Sequence, residues 1–194
     1  MESFENKIFG EIRLYKQADL RHVVKLFVDI QKHTNGLYPP KKLVRQLYGQ
    51  GRKGIRSWLT KSPNSTHLLF VNNKHIIGHI EIQDLGSVDS SDIPYWENAF
   101  LSNQSKELIP SLQIKDLAVI KRFGIDPKLQ GRKIGTQLLQ VAIKTIEQDM
   151  HKIPSLVVLS ELENARKLYE NTGGKLVGTF TEDTGETLMS YLFY

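Results

Sequence analysis

The stretch from Ile125 to Ile146 constrains the fold more than any other part of the chain. An apolar strand ends in Phe123-Gly124-Ile125, and Pro127 follows just beyond it. Proline has no N–H with which to continue a ladder, so the strand stops there. A turn holding Gly131 leads into a run in which Ile134, Leu138, Leu139, Ala142, Ile143 and Ile146 fall on one helical face. Leu156 to Leu159 is a short apolar run of the kind buried on both faces of a sheet. Asn164 to Asn171 reads as helix, stopped by Gly173-Gly174. The second half of the chain therefore contains a strand-helix-strand-helix unit.

The flanking segments read differently. Glu11 to Tyr15 alternates Ile12 and Leu14 with polar neighbours, as a short strand does. Leu20, Val23, Val24 and Phe27 have helical spacing, which predicts a helix from about Gln17 to Lys32, ended by Gly36 and Pro39-Pro40. A weaker helix is expected between Lys41 and Tyr48. His67 to Val71 and His75 to Ile82 are β-branched runs, and Asn72-Asn73 between them predicts an antiparallel hairpin. Asp84 to Leu112 is a long mixed segment read as a loop. Its Tyr95, Trp96 and Phe100 supply burial and argue against disorder. Lys175 to Thr181 and Thr187 to Tyr194 form a last hairpin through Asp183-Thr184-Gly185. The expected order is β-α-α-β-β-β-α-β-α-β-β. The fold class is mixed α/β, with residues 1–194 as a single domain.

Composition excludes several functions. None of the 194 residues is cysteine, so disulfide scaffolds, thiolate metal sites and cysteine nucleophiles are ruled out. No apolar run approaches the roughly 18 residues that span a bilayer. The N-terminus is polar and acidic, unlike a secretory signal. The expectation is a cytoplasmic protein with no membrane partner. A net charge of +5 is modest for a nucleic-acid binder, and no base-reading motif is present. The basic group Lys41, Lys42, Arg45, Arg52, Lys53 and Arg56 reads as solvated surface, so no nucleic-acid partner is expected. The histidines are scattered, with none at metal-ligand spacing, so no metal is expected.

The chemistry concentrates at Gln130-Gly131-Arg132-Lys133-Ile134-Gly135-Thr136. A helix start presents N–H groups without helical partners and the positive end of the dipole. Such a terminus binds phosphate or pyrophosphate. Gly131 and Gly135 allow close backbone approach, and Arg132 and Lys133 add positive charge. An ordinary solvated helix start is the alternative. The spacing matches neither a Walker loop nor a dinucleotide Gly-x-Gly-x-x-Gly.

Gln130-x-x-Lys133-x-Gly135, after a strand ending Ile125-Asp126-Pro127, resembles the acyl-CoA pyrophosphate loop of the GNAT N-acyltransferase superfamily. Lys133 stands where that family usually has its first glycine. Its side chain must point away from the pyrophosphate or lie beside it as a cation. Downstream, Asn164-Ala165-Arg166-Lys167-Leu168-Tyr169-Glu170-Asn171-Thr172-Gly173-Gly174 resembles the family's later helix. Tyr169 falls on the tyrosine that in many members protonates the departing CoA thiolate. Read alone, it is a core aromatic on an amphipathic helix. The family's frequent CoA-contacting asparagine falls on Leu162. Asn164 serves from two residues on or caps the helix. The resemblance covers most of the chain by element order and is specific from about Lys115 to Gly174.

The resemblance implies a GNAT-like central, mostly antiparallel, twisted sheet of about seven strands with flanking helices. It implies an acetyl-CoA-dependent N-acetyltransferase acting on a primary amine by direct attack in a ternary complex, without a metal. The alternative is a non-catalytic acyl-CoA-binding or sensing module. Phe123, Gly124 and Ile125 would splay from the next strand and pair their backbone with the pantetheine arm. A backbone N–H there would polarise the acetyl carbonyl. The cofactor-binding set is then Phe123, Gly124, Ile125, Gln130, Gly131, Arg132, Lys133, Ile134, Gly135, Thr136 and Asn164. Tyr169 is the catalytic acid. The base is expected at Glu81, which shares a strand face with His79 and Gln83. That face is either an active-site wall or solvent surface. Asp116 and a water relay are the other options. The acidic, aromatic segment from Asp84 to Phe100 lines the acceptor site or packs on the sheet. A small-molecule or peptide amine is the expected partner, and a homodimer is possible through pairing of Thr187 to Tyr194.

Overall fold

The computed structural model describes residues 10–33, 59, 64–183 and 185–194. The weak helix expected over Lys41 to Tyr48 and the basic group from Lys41 to Arg56 lie outside them. The described strands and main helices are β1 (Glu11–Leu14), α1 (Leu20–His33), β2 (Ser65–Asn72), β3 (His75–Asp84), α2 (Ile93–Phe100), α3 (Asn103–Leu108), β4 (Leu117–Ile125), α4 (Ile134–Lys144), β5 (Ile153–Leu159), α5 (Glu163–Asn171), β6 (Lys175–Thr181) and β7 (Thr187–Leu192). The seven strands hydrogen-bond in the order β1-β2-β3-β4-β5-β7-β6. This is the mostly antiparallel mixed α/β sheet with flanking helices that the sequence predicts. Two compact units are distinguished, Met1–Glu81 with Arg122–Leu138 and Ile82–Lys121 with Leu139–Tyr194.

In the first unit, β1 pairs antiparallel with β2, from Glu11↔Val71 to Leu14↔Leu68. The β2–β3 turn is Asn73-Lys74, one residue later than the expected Asn72-Asn73. Both residues take positive φ, +46° and +67°. Two positive φ values in a two-residue loop make a type I′ turn, whose twist matches that of the flanking strands. Asparagine tolerates that region; lysine does so only at a steric cost. The apolar face of α1 puts Val23, Val24 and Phe27 into a core with Leu59 and Leu69. Gly124 of β4 lies under this helix. A Cβ there would sit 2.7 Å from Cδ1 of Ile30, the tip of a side chain that would have to shift, and 3.2 Å from Cε1 of Phe27, so glycine eases the close approach of strand and helix.

In the second unit, β4 pairs parallel with β5 from Leu117↔Ile153 to Ile120↔Leu156. β5 pairs antiparallel with β7, and β7 with β6. The segment read as a long loop instead carries α2 and α3. Pro94 sits in the first turn of α2, where its missing N–H costs nothing. The Ser102 hydroxyl caps α3 by accepting from the N–H of Ser105 at 3.2 Å. The aromatics of this segment pack within the unit. Trp96 stacks on Phe100 at 6.0 Å, and Tyr95 meets Phe180 edge-on at 5.8 Å. Phe100 is fully buried in a core with Leu85, Ala99, Leu117, Val119, Val177 and Leu192.

The final strand also differs from expectation. β7 is flanked by β5 on one side and β6 on the other, so its backbone groups are already committed. It cannot pair with a second chain as a free edge. The terminal strand on that side of the sheet is β6. The main helix follows its pattern: Ile134, Leu138, Leu139, Ala142 and Ile146 are buried. Regular α-helix ends at Lys144, and a single wide turn from Thr145 to Asp149 carries Ile146 inward.

The β2–β3 turn makes a direct prediction. Lys74→Gly removes the Cβ clash at a positive-φ position and should raise stability by about 0.5–1 kcal/mol, the steric relief being partly offset by a freer unfolded chain. Denaturant midpoints of the two proteins check it. A lower midpoint for the glycine variant would contradict the turn assignment.

Candidate active site

The β4–α4 connection lies in the first unit and is built by local bonds. The N–H of Asp126 donates to the carbonyl of Ile77 at 2.8 Å, which holds the end of β4. The carboxylate of Asp126 accepts from the N–H of Lys128 at 3.0 Å, and its carbonyl accepts from Leu129 at 2.8 Å. These bonds close one tight turn over Pro127–Leu129. Gly131 then takes φ +79° and Lys133 φ +61°. Gln130, Gly131, Arg132 and Lys133 are exposed, while Ile134 is buried beneath them and anchors the first turn of α4. Gly135 and Thr136 are half-buried. The N–H of Gln137 donates to the carbonyl of Lys133 at 3.0 Å, which marks where helical bonding begins.

This geometry accounts for the unusual lysine. The position requires a left-handed residue, which is why glycine is common there. A lysine meets the requirement at a cost of about 1–2 kcal/mol. In return it carries a cation beside a helix start, where an anion is favoured. The loop fits a diphosphate: backbone amides at a helix N-terminus, no Cβ at Gly131, and two exposed cations.

Glu81 is not at the surface. Its side chain is 0% exposed. The Ser65 hydroxyl donates to Oε1 at 2.8 Å, and the Arg122 guanidinium pairs with Oε2. The solvent reading of this strand face is therefore overturned. The carboxylate is tolerated in the interior because a guanidinium and a hydroxyl satisfy it. His79, two residues before it, is also 0% exposed. Its Nδ1 lies 2.9 Å from the carbonyl oxygen of Arg122, and its Nε2 lies 3.1 Å from Nδ1 of His67. Phe27 packs edge-on against the His79 ring at 5.1 Å. Burial, then the neighbouring His67, pushes the His79 imidazole down to about 3. Arg122 itself stands in the left-handed region at φ +48° in the middle of β4.

Sequence reasoning missed this cluster. The partners of Glu81 and His79 on β4 lie 41 and 43 residues away along the chain. The one available signal was that Ser65, His67, His79 and Glu81 are polar residues at alternate positions of two strands otherwise rich in apolar side chains. Asp116, the other candidate base, closes a turn before β4 by accepting from the N–H of Gln113 at 2.9 Å.

In the second unit, Tyr169 sits near the end of α5 and is 9% exposed. Its ring lies 6.3 Å from that of Tyr191. The Tyr191 hydroxyl donates to Glu170 at 2.7 Å. Burial, then the bond to Glu170, pushes the Tyr191 phenol up to about 12. Gly173, at φ +102°, and the bond from the N–H of Gly174 to the carbonyl of Tyr169 at 2.9 Å end the helix as expected. Asn164 is not the cap: Leu162 holds that position, and Asn164 is an exposed residue of the first turn. Among the described residues no three metal-binding side chains cluster, and no helix is long and apolar enough to cross a membrane.

The description of the acetyltransferase (GNAT) family matches residues 27–174, a span that contains both the β4–α4 loop and Tyr169. The chain belongs to the GNAT acetyltransferase family. It is therefore an acyl-CoA-dependent acyltransferase with acetyl-CoA as cosubstrate. Solved structures share the fold at low identity. The PaiA N-acetyltransferase from Thermoplasma acidophilum, in complex with coenzyme A, is 17% identical with a TM-score of 0.61, over 94% of this chain and 98% of that one. A chimera of the spermidine N-acetyltransferase SpeG from Vibrio cholerae and hSSAT is 15% identical with a TM-score of 0.64, over 95% and 94%. The ribosomal-protein-S18-alanine N-acetyltransferase from Escherichia coli is 15% identical with a TM-score of 0.60, over 95% and 93%. No curated protein sequence matches the chain.

The neutral His79 makes stability depend on pH. Its folded pKa is lowered, so between about 6.5 and about 3 the unfolded chain binds the extra proton. The contribution is complete above the ordinary value and is lost as pH falls toward the folded one. Denaturant midpoints should fall from pH 7.5 to pH 5, and His79→Asn should flatten that slope. Equal slopes in the two proteins would contradict the buried neutral imidazole.

Proposed function

We propose that the chain transfers an acetyl group from acetyl-CoA to a primary amine by direct attack in a ternary complex, with residues 1–194 acting as one catalytic domain in the cytoplasm. The observation that carries this reading is the start of α4, where Gly131 and Lys133 take positive φ and Arg132 and Lys133 are exposed. Amide groups from Gly131 to Thr136 hold the diphosphate, Ile134 fixes the helix beneath them, and Gln130, Arg132 and Lys133 flank it. Phe123, Gly124 and Ile125 offer their backbone to the pantetheine arm. In support, the parallel register of β4 with β5 runs only to Ile120↔Leu156, and Arg122 then turns left-handed. Asn164, in the first turn of α5, is an additional cofactor contact.

Acetyl-CoA supplies an activated acyl group as a thioester. The nitrogen of the neutral amine forms the new C–N bond as the C–S bond breaks. Tyr169 gives its phenolic proton to the departing sulfur as a general acid. A backbone N–H of β4 stabilises the negative charge that develops on the carbonyl oxygen. The amine proton leaves through water. Glu81 is assigned a different part, because both of its oxygens are already engaged by Ser65 and Arg122. It holds Arg122 in place. The acceptor is a small-molecule or peptide amine, in line with the spermidine and ribosomal-protein acetyltransferases that share the fold.

A panel of polyamines, amino acids and peptides offered with acetyl-CoA tests the proposal. At least one amine should be acetylated. Tyr169→Phe should lower kcat by about 10²–10³-fold while leaving acetyl-CoA affinity near that of the wild type. Full activity in the phenylalanine variant would remove Tyr169 from the mechanism. No transfer to any amine, despite tight acetyl-CoA binding, would favour a sensing module.

A further inference from the structure

The hydrogen-bond directions in the first unit can be read from one end. The Arg122 carbonyl can only accept, so Nδ1 of His79, at 2.9 Å, carries a proton. In the neutral ring Nε2 is then the acceptor. His67, whose Nδ1 lies 3.1 Å away, must donate to it. The chain of bonds runs from His67 N–H to His79 Nε2, and from His79 N–H to the Arg122 carbonyl. Each bond polarises the next in a buried site. The rings are held from the side by Phe27, at 5.1 Å from His79, and by Tyr15, at 5.8 Å from His67. The charged pair facing them is Glu81 with Arg122.

This chain ends on a particular peptide. Arg122 is left-handed, a conformation that costs a non-glycine residue about 1–3 kcal/mol and persists only where its surroundings over-determine it. Two contacts do so: Glu81 holds the guanidinium and His79 holds the carbonyl. The peptide that joins Arg122 to Phe123 is planar and trans, so fixing the direction of the carbonyl also fixes that of the Phe123 N–H on its opposite side. The backbone from Phe123 to Ile125 inherits its course from this peptide.

We propose that His67 and His79 are positioning residues, a two-imidazole clamp that sets the Arg122–Phe123 peptide and so pre-forms the backbone against which the pantetheine arm and the acyl carbonyl are held. The inference rests on the acyltransferase reading above. It assigns neither histidine a contact with substrate. Their contribution is preorganisation: the strand segment does not have to be ordered when the thioester arm arrives.

The test separates the two halves of the cofactor. Calorimetry is run with coenzyme A and with 3′-phospho-ADP, which carries the diphosphate but lacks pantetheine. In His79→Asn the side-chain amide nitrogen replaces Nδ1, so coenzyme A affinity should stay within about threefold of the wild type, a loss smaller than that of one hydrogen bond. His79→Gln puts its nitrogen nearer the Nε2 position, and His79→Leu has none. In both, coenzyme A affinity should fall about tenfold while 3′-phospho-ADP affinity is unchanged. If the leucine variant does not fold, the asparagine and glutamine pair carries the comparison. His67→Asn and His67→Leu should show the same contrast more weakly. The clamp is overturned if glutamine and leucine variants bind coenzyme A like the wild type, if asparagine fails as they do, or if both ligands weaken equally. Failure of the wild type to bind either ligand is a separate result, which removes the acyltransferase reading itself.

Discussion

A single backbone angle organises the first unit. At Arg122 the chain leaves extended geometry for φ +48° in the middle of a strand. An arginine takes that conformation only under constraint, and the constraint is a set of buried polar groups. Glu81 and Ser65 hold the side chain, and His79, backed by His67, holds the carbonyl. Burying a carboxylate and two imidazoles among Phe27 and its neighbours is costly unless each finds a partner. The partners come from β2, β3 and β4 together, so the cluster both satisfies the strands and fixes their local course.

The same logic recurs a few residues on. Gly124 is pressed under α1, where a Cβ would overlap Ile30. Lys133 takes a left-handed angle that glycine would take without cost. Arg122, Gly124, Gly131 and Lys133 thus put strained or glycine-suited geometry into one stretch of β4 and its loop, whereas the following turns of α4 are ordinary amphipathic helix with Leu138, Leu139 and Ala142 inward. Local strain that persists in a folded chain marks places where backbone direction has a use. Here the use proposed is to present amides to a diphosphate and to a thioester arm. Membership of the GNAT family is consistent with the location, since the matched span runs through all of it.

Much of this was legible in the residues, and the limits have physical causes. The β4–α4 loop could be read because its information is local: Pro127 stops a strand, Gly131 and Gly135 mark a turn and helix start, and the apolar period follows at once. The β2–β3 hairpin was legible, but its turn was misplaced by one residue, because asparagine at 72 and 73 suits positive φ equally and Lys74 gives no such signal. Helices α2 and α3 were not legible, since eight and six residues are too few to show a period. The interior place of β7 was hidden because a strand's own residues do not state which neighbours flank it. Glu81 could not be placed for the same reason. Its partner Arg122 is a β4 residue that no local pattern connects to β3. The alternation of polar residues along both strands of the hairpin was the signal that pointed inward.

On the reading proposed above, the backbone from Arg122 to Thr136 is already shaped for coenzyme A before the cosubstrate arrives. A crystal structure of the acetyl-CoA complex tests it directly. The diphosphate should lie within hydrogen-bonding distance of amides between Gly131 and Thr136, with the pantetheine amides against Phe123 to Ile125 and Arg122 still left-handed. A diphosphate seated at another helix, or an Arg122 that turns extended when the cosubstrate binds, would contradict it.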